Sequence, residues 1–219
     1  MKIESFKIDI SESIGSVSAE VLEPDNMDTL LVLAHGAGAN MHHRFMKALA
    51  KALAENGIGT LRFNFAYMEK GKGRPDPPAI AEKTIEQVIL KAKELFPETN
   101  LIAGGKSFGG RMTSNLVSKA AVTSLKGLVF FGFPLHPAGK PSTDRATHLK
   151  LVSIPMLFLQ GTRDALAELD LIKQTTKALK PAQLILFEGA DHSFAVGKKD
   201  IIPDLVVATR QWVDEINRP

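Results

Sequence analysis

An α/β fold, a mostly parallel sheet with helices on both faces, is the class this sequence predicts, and three observations carry it. After an opening pair of alternating segments, short apolar runs take turns with amphipathic stretches, the order that calls for parallel strands joined by helices. The first such run, Leu30–Ala34, is apolar without a break, as a strand buried on both faces must be. The 219 residues are 44% hydrophobic, enough to fill one sizeable core, which predicts a single domain over 1–219.

The elements follow in order. Lys2–Ile10 and Ser16–Leu22 alternate with period two around Ser11-Glu12-Ser13, which predicts an antiparallel hairpin. Leu30–Ala34 ends in His35-Gly36-Ala37-Gly38-Ala39-Asn40. Arg44–Glu55 places Phe45, Leu49 and Leu53 at helical spacing and stops at Asn56-Gly57. Ile58–Phe65 reads as a strand, and Ala66–Pro78, rich in glycine, proline and lysine, as a loop. A helix is expected over Glu82–Leu95, a strand over Leu101–Ala103, and a further helix from the next turn to about Ala121. Gly127–Phe133 is strand-like, and Pro134–Asp144 is a second irregular stretch. Pro155–Gln160 predicts a strand, Leu166–Leu179 a helix, Gln183–Phe187 the last strand and Asp200–Ile216 the closing helix. No repeat or linker divides the chain, and neither irregular loop is long enough for a lid domain.

The chemistry is announced by Gly105-Lys106-Ser107-Phe108-Gly109, a G-x-S-x-G between an apolar run and a helix-compatible segment. A turn that tight strains the serine backbone and lifts its hydroxyl above the sheet edge. The residues two before and two after come close to neighbouring backbone, so glycine suits both. The helix beyond directs the positive end of its dipole at the site, where negative charge develops.

Functional groups in such a sheet gather at the carboxyl ends of the strands. Ser107, Asp164 and His192 each follow a different predicted strand, in the order serine, acid, histidine. A serine hydroxyl needs a base to take its proton, a histidine can take and return one, and a carboxylate fixes the imidazole tautomer. Asp164 is favoured over Asp191, because Asp191 adjoins His192 and neighbouring side chains point apart. A helix N-cap is the structural alternative for Asp164. Backbone N–H groups must then meet an oxyanion. Phe108 supplies one, and the His35–Gly38 turn the second, with Ala37 the first choice and Gly36 and Gly38 the alternatives. Gly36, Lys106 and His136 are the candidate substrate contacts. His35 reads as a structural turn residue, and His42, His43 and His148 as surface residues.

Composition excludes several other classes. The net charge of +3 is mild, and no Lys/Arg run interleaves with aromatics, so no nucleic-acid partner is expected. The absence of cysteine removes disulfides, thiolate metal sites and a thiol nucleophile. No pair of histidines has a carboxylate at a metal-ligand spacing, so neither metal nor cofactor is expected. The acidic, alternating N-terminus differs from a signal peptide, and no apolar run reaches transmembrane length. A soluble cytoplasmic protein without a membrane partner is the expectation.

Ala34-His35-Gly36-Ala37-Gly38, Gly104–Met112, Gly132–Pro141, Leu159–Asp164 and Gly189–His192 together resemble the α/β-hydrolase superfamily, near its dienelactone hydrolase-like members. Within it the chain is most similar to bacterial predicted hydrolases related to the animal testis-expressed-30 and NSL-complex subunit 3 proteins, with the Pro134–Pro141 loop the narrowest signature. The resemblance implies a serine hydrolase with Ser107, Asp164 and His192 as triad. Dienelactone hydrolase itself has a cysteine nucleophile where this chain has Ser107. The animal relatives include scaffold subunits, so fold alone does not establish catalysis.

The expected function is cleavage of small ester or thioester substrates by an acyl-enzyme route, a carboxylesterase-like activity. A peptidase or amidase of the same fold and a non-catalytic interaction module are the alternatives. Arg74, Lys106, Arg111, Lys140 and Arg163 fall in segments expected to reach the rim. Surface solubility, or for Arg111 a buried carboxylate partner, accounts for them more readily than an anionic substrate, which stays open. Nothing in the sequence fixes the oligomeric state.

Overall fold

The computed structural model describes residues 1–119 and 124–218. The strands are β1 (Lys2–Ser11), β2 (Gly15–Glu23), β3 (Thr29–Ala34), β4 (Ile58–Phe63), β5 (Asn100–Lys106), β6 (Leu125–Phe131), β7 (Met156–Gly161) and β8 (Ala182–Phe187). They form one sheet in the order β1-β2-β4-β3-β5-β6-β7-β8. The β1–β2 hairpin is antiparallel and joins β4 antiparallel, while β4, β3 and β5 to β8 are parallel throughout. Both the expected sheet and the expected hairpin are present.

Among the described residues, six α-helices cover the two faces: α1 (Arg44–Ala54), α2 (Ala66–Glu69), α3 (Pro78–Leu95), α4 (Phe108–Lys119), α5 (Leu169–Lys177) and α6 (Ile202–Ile216). The period-two geometry of a strand divides the core between them. In β3, Leu30, Val32 and Ala34 pack with Ile85 of α3 and Met112 of α4. The alternate Leu31 and Leu33 pack with Leu49 of α1 and Leu205 of α6. All are nearly or fully buried, and each such leucine contributes about 1.5–3 kcal/mol relative to exposure.

Several boundaries differ from expectation for local reasons. The loop expected over Ala66–Pro78 opens with the single turn α2, where Tyr67 is buried and its N–H bonds Asp76 Oδ2 at 2.8 Å. Helix α3 begins at Pro78, because a proline in the first turn forgoes no helical hydrogen bond. Helix α5 starts at Leu169 instead of Leu166, since the Leu166 and Glu168 N–H groups go to Asp164 Oδ1 and His136 Nε2. A 3₁₀ helix, Asp144–Leu151, occupies a stretch without a clear period and packs on α4. The helix end expected at Ala121 lies outside the described residues.

Because β3 and β5 to β8 run the same way, their carboxyl ends share one rim. The segments that leave there carry His35, Ser107, Gly132, Asp164 and His192. The two long connections hold one helical turn and one 3₁₀ helix, with no inserted domain over this rim among the described residues.

Candidate active site

Ser107 sits between β5 and α4 with φ of 51°, a left-handed backbone that costs a non-glycine residue about 1–3 kcal/mol. Its N–H bonds Phe131 O at 3.3 Å and its carbonyl accepts from Arg111 N at 3.1 Å, so sheet and helix both hold the turn. A Cβ on Gly105 would lie 2.1 Å from Ala34 O, and one on Gly109 2.6 Å from the same atom. Only glycine lets β5 and α4 approach β3 this closely at both positions.

Ser107 Oγ lies 2.8 Å from His192 Nε2, and His192 Nδ1 lies 2.7 Å from Asp164 Oδ2. A carboxylate only accepts, so Nδ1 carries the proton of the neutral ring and Nε2 is free to accept from the serine. The Asp164 side chain is 0% exposed and that of His192 23%, so the imidazole meets the cleft while its anchor stays dry. Gln160 Nε2 at 2.6 Å and Leu166 N at 2.7 Å donate to the Asp164 carboxylate and help to pay for its burial. Asp164 is therefore no helix N-cap; Glu168 holds that position on α5. The Asp191 carboxylate is turned to its own loop, where Oδ1 accepts from Ser193 N and Ala195 N at 2.8 and 2.9 Å.

On the opposite side of Ser107 stands the turn after β3. His35 is fully buried; Nδ1–H donates to Gly36 O at 2.8 Å and Nε2 accepts from Phe65 N at 3.1 Å. Burial lowers its pKa to about 4, so the ring is neutral with its tautomer fixed by two backbone partners. Gly36 O also accepts from Ala39 N at 3.2 Å, and Tyr67 Oη donates to Ala37 O at 2.9 Å. Burial above all, with Asp76 nearby, pushes the Tyr67 phenol up to about 12. Across a trans peptide the C=O and N–H point opposite ways. Anchoring Gly36 O inside the protein thus turns the Ala37 N–H outward, away from His35. The Phe108 N–H belongs to the first turn of α4, where no helical acceptor exists. Between the two sides lies a cleft of about 330 Å³ lined by Gly36, Ala37, Phe45, Met46 and Leu166 around Ser107 and His192.

The remaining expectations are placed as follows. Gly36 lines the cleft, as does the Lys106 stem, but the Lys106 ammonium turns away and bonds the His192 carbonyl. His136 is corrected from a substrate contact to a structural residue. It is buried, its Nδ1–H donates to Pro137 O at 2.9 Å and its Nε2 accepts from Glu168 N at 3.1 Å, leaving no free ring nitrogen. His148 is corrected too: half-buried, with Nε2 2.8 Å from Ser114 Oγ and its pKa lowered to about 4, by burial first and then by Arg111 and Lys119. His42 and His43 are exposed, and His43 Nδ1 accepts from Phe45 N at the start of α1. Arg74, Lys140 and Arg163 are exposed and absent from the cleft lining. Arg111 has no carboxylate in ion-pair reach among the described residues; Arg145 is its charged neighbour and its Nε is buried without a partner. Gln160 and Tyr67 were missed. A lone glutamine closing the apolar run Met156–Leu159 was the available signal for the first.

Residues 27–208 match the family described as alpha/beta hydrolase domain. Among solved structures, an alpha-beta serine hydrolase homologue from Coxiella burnetii aligns at TM-score 0.74 and 20% identity, covering 100% of this chain and 99% of that one. A dienelactone hydrolase from Anabaena variabilis gives TM-score 0.77 at 14% identity over 98% and 99%. A lidless α/β serine hydrolase from Xanthomonas campestris gives 0.74 at 21% identity over 98% and 95%. At these identities the likeness is one of fold. No helix among the described residues is long and apolar enough to cross a membrane.

Proposed function

The chain belongs to the alpha/beta hydrolase family, and from that premise we propose that it is a serine hydrolase cleaving small ester or thioester substrates through an acyl-enzyme. The observation that carries the reading is the unbroken run Ser107 Oγ, His192 Nε2, His192 Nδ1, Asp164 Oδ2, with links of 2.8 and 2.7 Å. His192 takes the Ser107 proton as Oγ adds to the carbonyl carbon, and the carbonyl oxygen becomes the oxyanion. The N–H groups of Ala37 and Phe108 receive that charge, aided by the α4 dipole. The imidazolium then protonates the leaving oxygen or sulfur. Water then adds to the acyl carbon as His192 takes its proton, and His192 returns that proton to Ser107 Oγ as the acyl–oxygen bond breaks and the acid leaves. Apart from substrate and water, every group this route uses is a side chain or backbone N–H of this chain.

A cleft of about 330 Å³ with Phe45, Met46 and Leu166 in its lining suits a small, partly apolar substrate. A strained serine bonded to an oriented histidine favours catalysis over a scaffold role, since strain without function is a cost. Labelling with a fluorophosphonate probe tests this. Wild type is expected to label stoichiometrically and Ser107→Ala not at all; an unlabelled, folded wild type would point to the interaction module.

An anionic substrate could be drawn by Arg111, one helical turn from Ser107, with Arg145 close by and no carboxylate in ion-pair reach of it among the described residues. Arg111 lies outside the cleft lining, so its pull would act at a distance and not by contact. Matched carboxylate-bearing and neutral esters would show a higher kcat/KM for the anion at low salt, shrinking as salt rises. Equal values at low salt leave the pair a purely structural feature.

A further inference from the structure

Lys106 was expected to touch substrate, and its ammonium does something else. It leaves the end of β5 beside Ser107, passes under the His192 loop and donates to the His192 backbone carbonyl. The Phe194 ring, from the same loop, covers it with Nζ 5.4 Å from the centroid. Room for it is kept by Gly132 at the end of β6, where a Cβ would lie 3.0 Å from Nζ and 3.5 Å from His192 Nδ1. Asp164 and Asp191 are the carboxylates that face it, and neither forms an ion pair with it.

We propose that Lys106 is a positioning residue, whose ammonium holds the His192 carbonyl and so fixes the imidazole between Ser107 and Asp164. The inference rests on the serine hydrolase reading given above. His192 stands on a loop, and that loop turns sharply at Phe194, whose φ is 64°. Two anchors hold the residue, one at each end: Asp164 on the ring and Lys106 on the backbone. Losing the second lets the ring drift relative to Oγ, and a misplacement of about 1 Å costs on the order of 100-fold in rate.

A desolvated ammonium is a poor choice for stability alone, because an apolar side chain of the same length would fill the space without a charge to bury. Burial lowers the Lys106 pKa to about 8, against the opposing pull of Asp164 and then Asp191. Between about 8 and the ordinary 10.5 the unfolded chain holds a proton the folded one has lost, so stability from this group rises with pH across that window. Below about 8 its charge is a standing cost to the fold. Activity should run the other way, since the charge-assisted bond to His192 is strongest with the ammonium protonated.

Lys106→Met is the test, read in three ways. The expected result is a kcat lowered by roughly 10- to 100-fold with KM changed less than about twofold, a Tm level with or above wild type at pH 7, and loss of the decline in kcat that wild type shows above pH about 8. A kcat equal to wild type overturns the proposal. So does a loss that tracks a lowered Tm, or a wild-type kcat that stays flat well above pH 8. If wild type takes no fluorophosphonate label, the hydrolase reading fails separately. The anchor is then read from the low-field Nδ1 proton of His192 by NMR, which Lys106→Met should broaden or shift and which an idle lysine would leave unchanged.

Discussion

Two loops flank Ser107, and they are built from opposite materials. The turn after β3 is held by neutral groups: His35 on Gly36 O and Phe65 N, and Tyr67 on Ala37 O. The loop after β8 is held by charges, with Asp164 on the His192 ring and Lys106 on its backbone. On the mechanism proposed above, the difference follows from what each side would do. A site that receives an oxyanion needs fixed dipoles that keep their orientation, because reorganisation at the moment of reaction raises the barrier. A site that gains and loses a proton needs a counter-charge to stabilise the imidazolium. Perturbed titrations divide the same way, with His35 at about 4 and Tyr67 at about 12 silent near neutral pH, and Lys106 at about 8 within reach of it.

The sharpest break in this contrast is Asp164→Asn. It should lower kcat by about 10⁴-fold, because the amide favours the wrong imidazole tautomer. Asp191→Asn should leave kcat within a few-fold of wild type, since that carboxylate bonds its own loop and acts on Lys106 only through space. A large loss confined to Asp191→Asn would reverse the assignment. Steady-state kinetics on a short-chain ester measures both.

A smaller effect is expected on the neutral side. Tyr67→Phe removes the donor to Ala37 O and should lower kcat by roughly tenfold, about 1.4 kcal/mol, the scale of one neutral hydrogen bond. KM and the shape of the pH profile should be unchanged, since this side carries no titrating charge. A shifted pH profile would contradict the division between the loops.

The last effect concerns stability in acid and not the rate. His35 and His148 are both held near a pKa of 4, below the usual 6.5. As pH falls from about 6.5 to about 4 the unfolded chain takes up protons that the folded one refuses, so stability drops through that window. Thermal melts at pH 7 and pH 5 should show the loss, and His148→Gln, away from the cleft, should reduce it. An identical drop in that variant would remove His148 from the explanation.

The meeting of Ser107, Asp164 and His192 at one rim was legible in the sequence because each follows a recognisable apolar run, and parallel strands bring such ends together whatever the details between them. The glycines around Ser107 were legible for the same reason, as the turn demands them. Roles set by side-chain reach across the fold were not. Lys106 and His136 sit in rim segments, yet one turns to the His192 backbone and the other saturates its ring on Pro137 and Glu168. Tyr67 lay in a segment that read as loop, because a four-residue helix shows no period. Nothing local to these residues indicates the partner each finds.

The most direct test of the account is to quench the reaction of a short activated ester and locate the acyl group by peptide mass spectrometry. The account predicts one acyl group, on the peptide bearing Ser107, with no acylation and no turnover in a folded Ser107→Ala variant. An acyl group found on Lys106 instead, or wild-type turnover by Ser107→Ala, would contradict it.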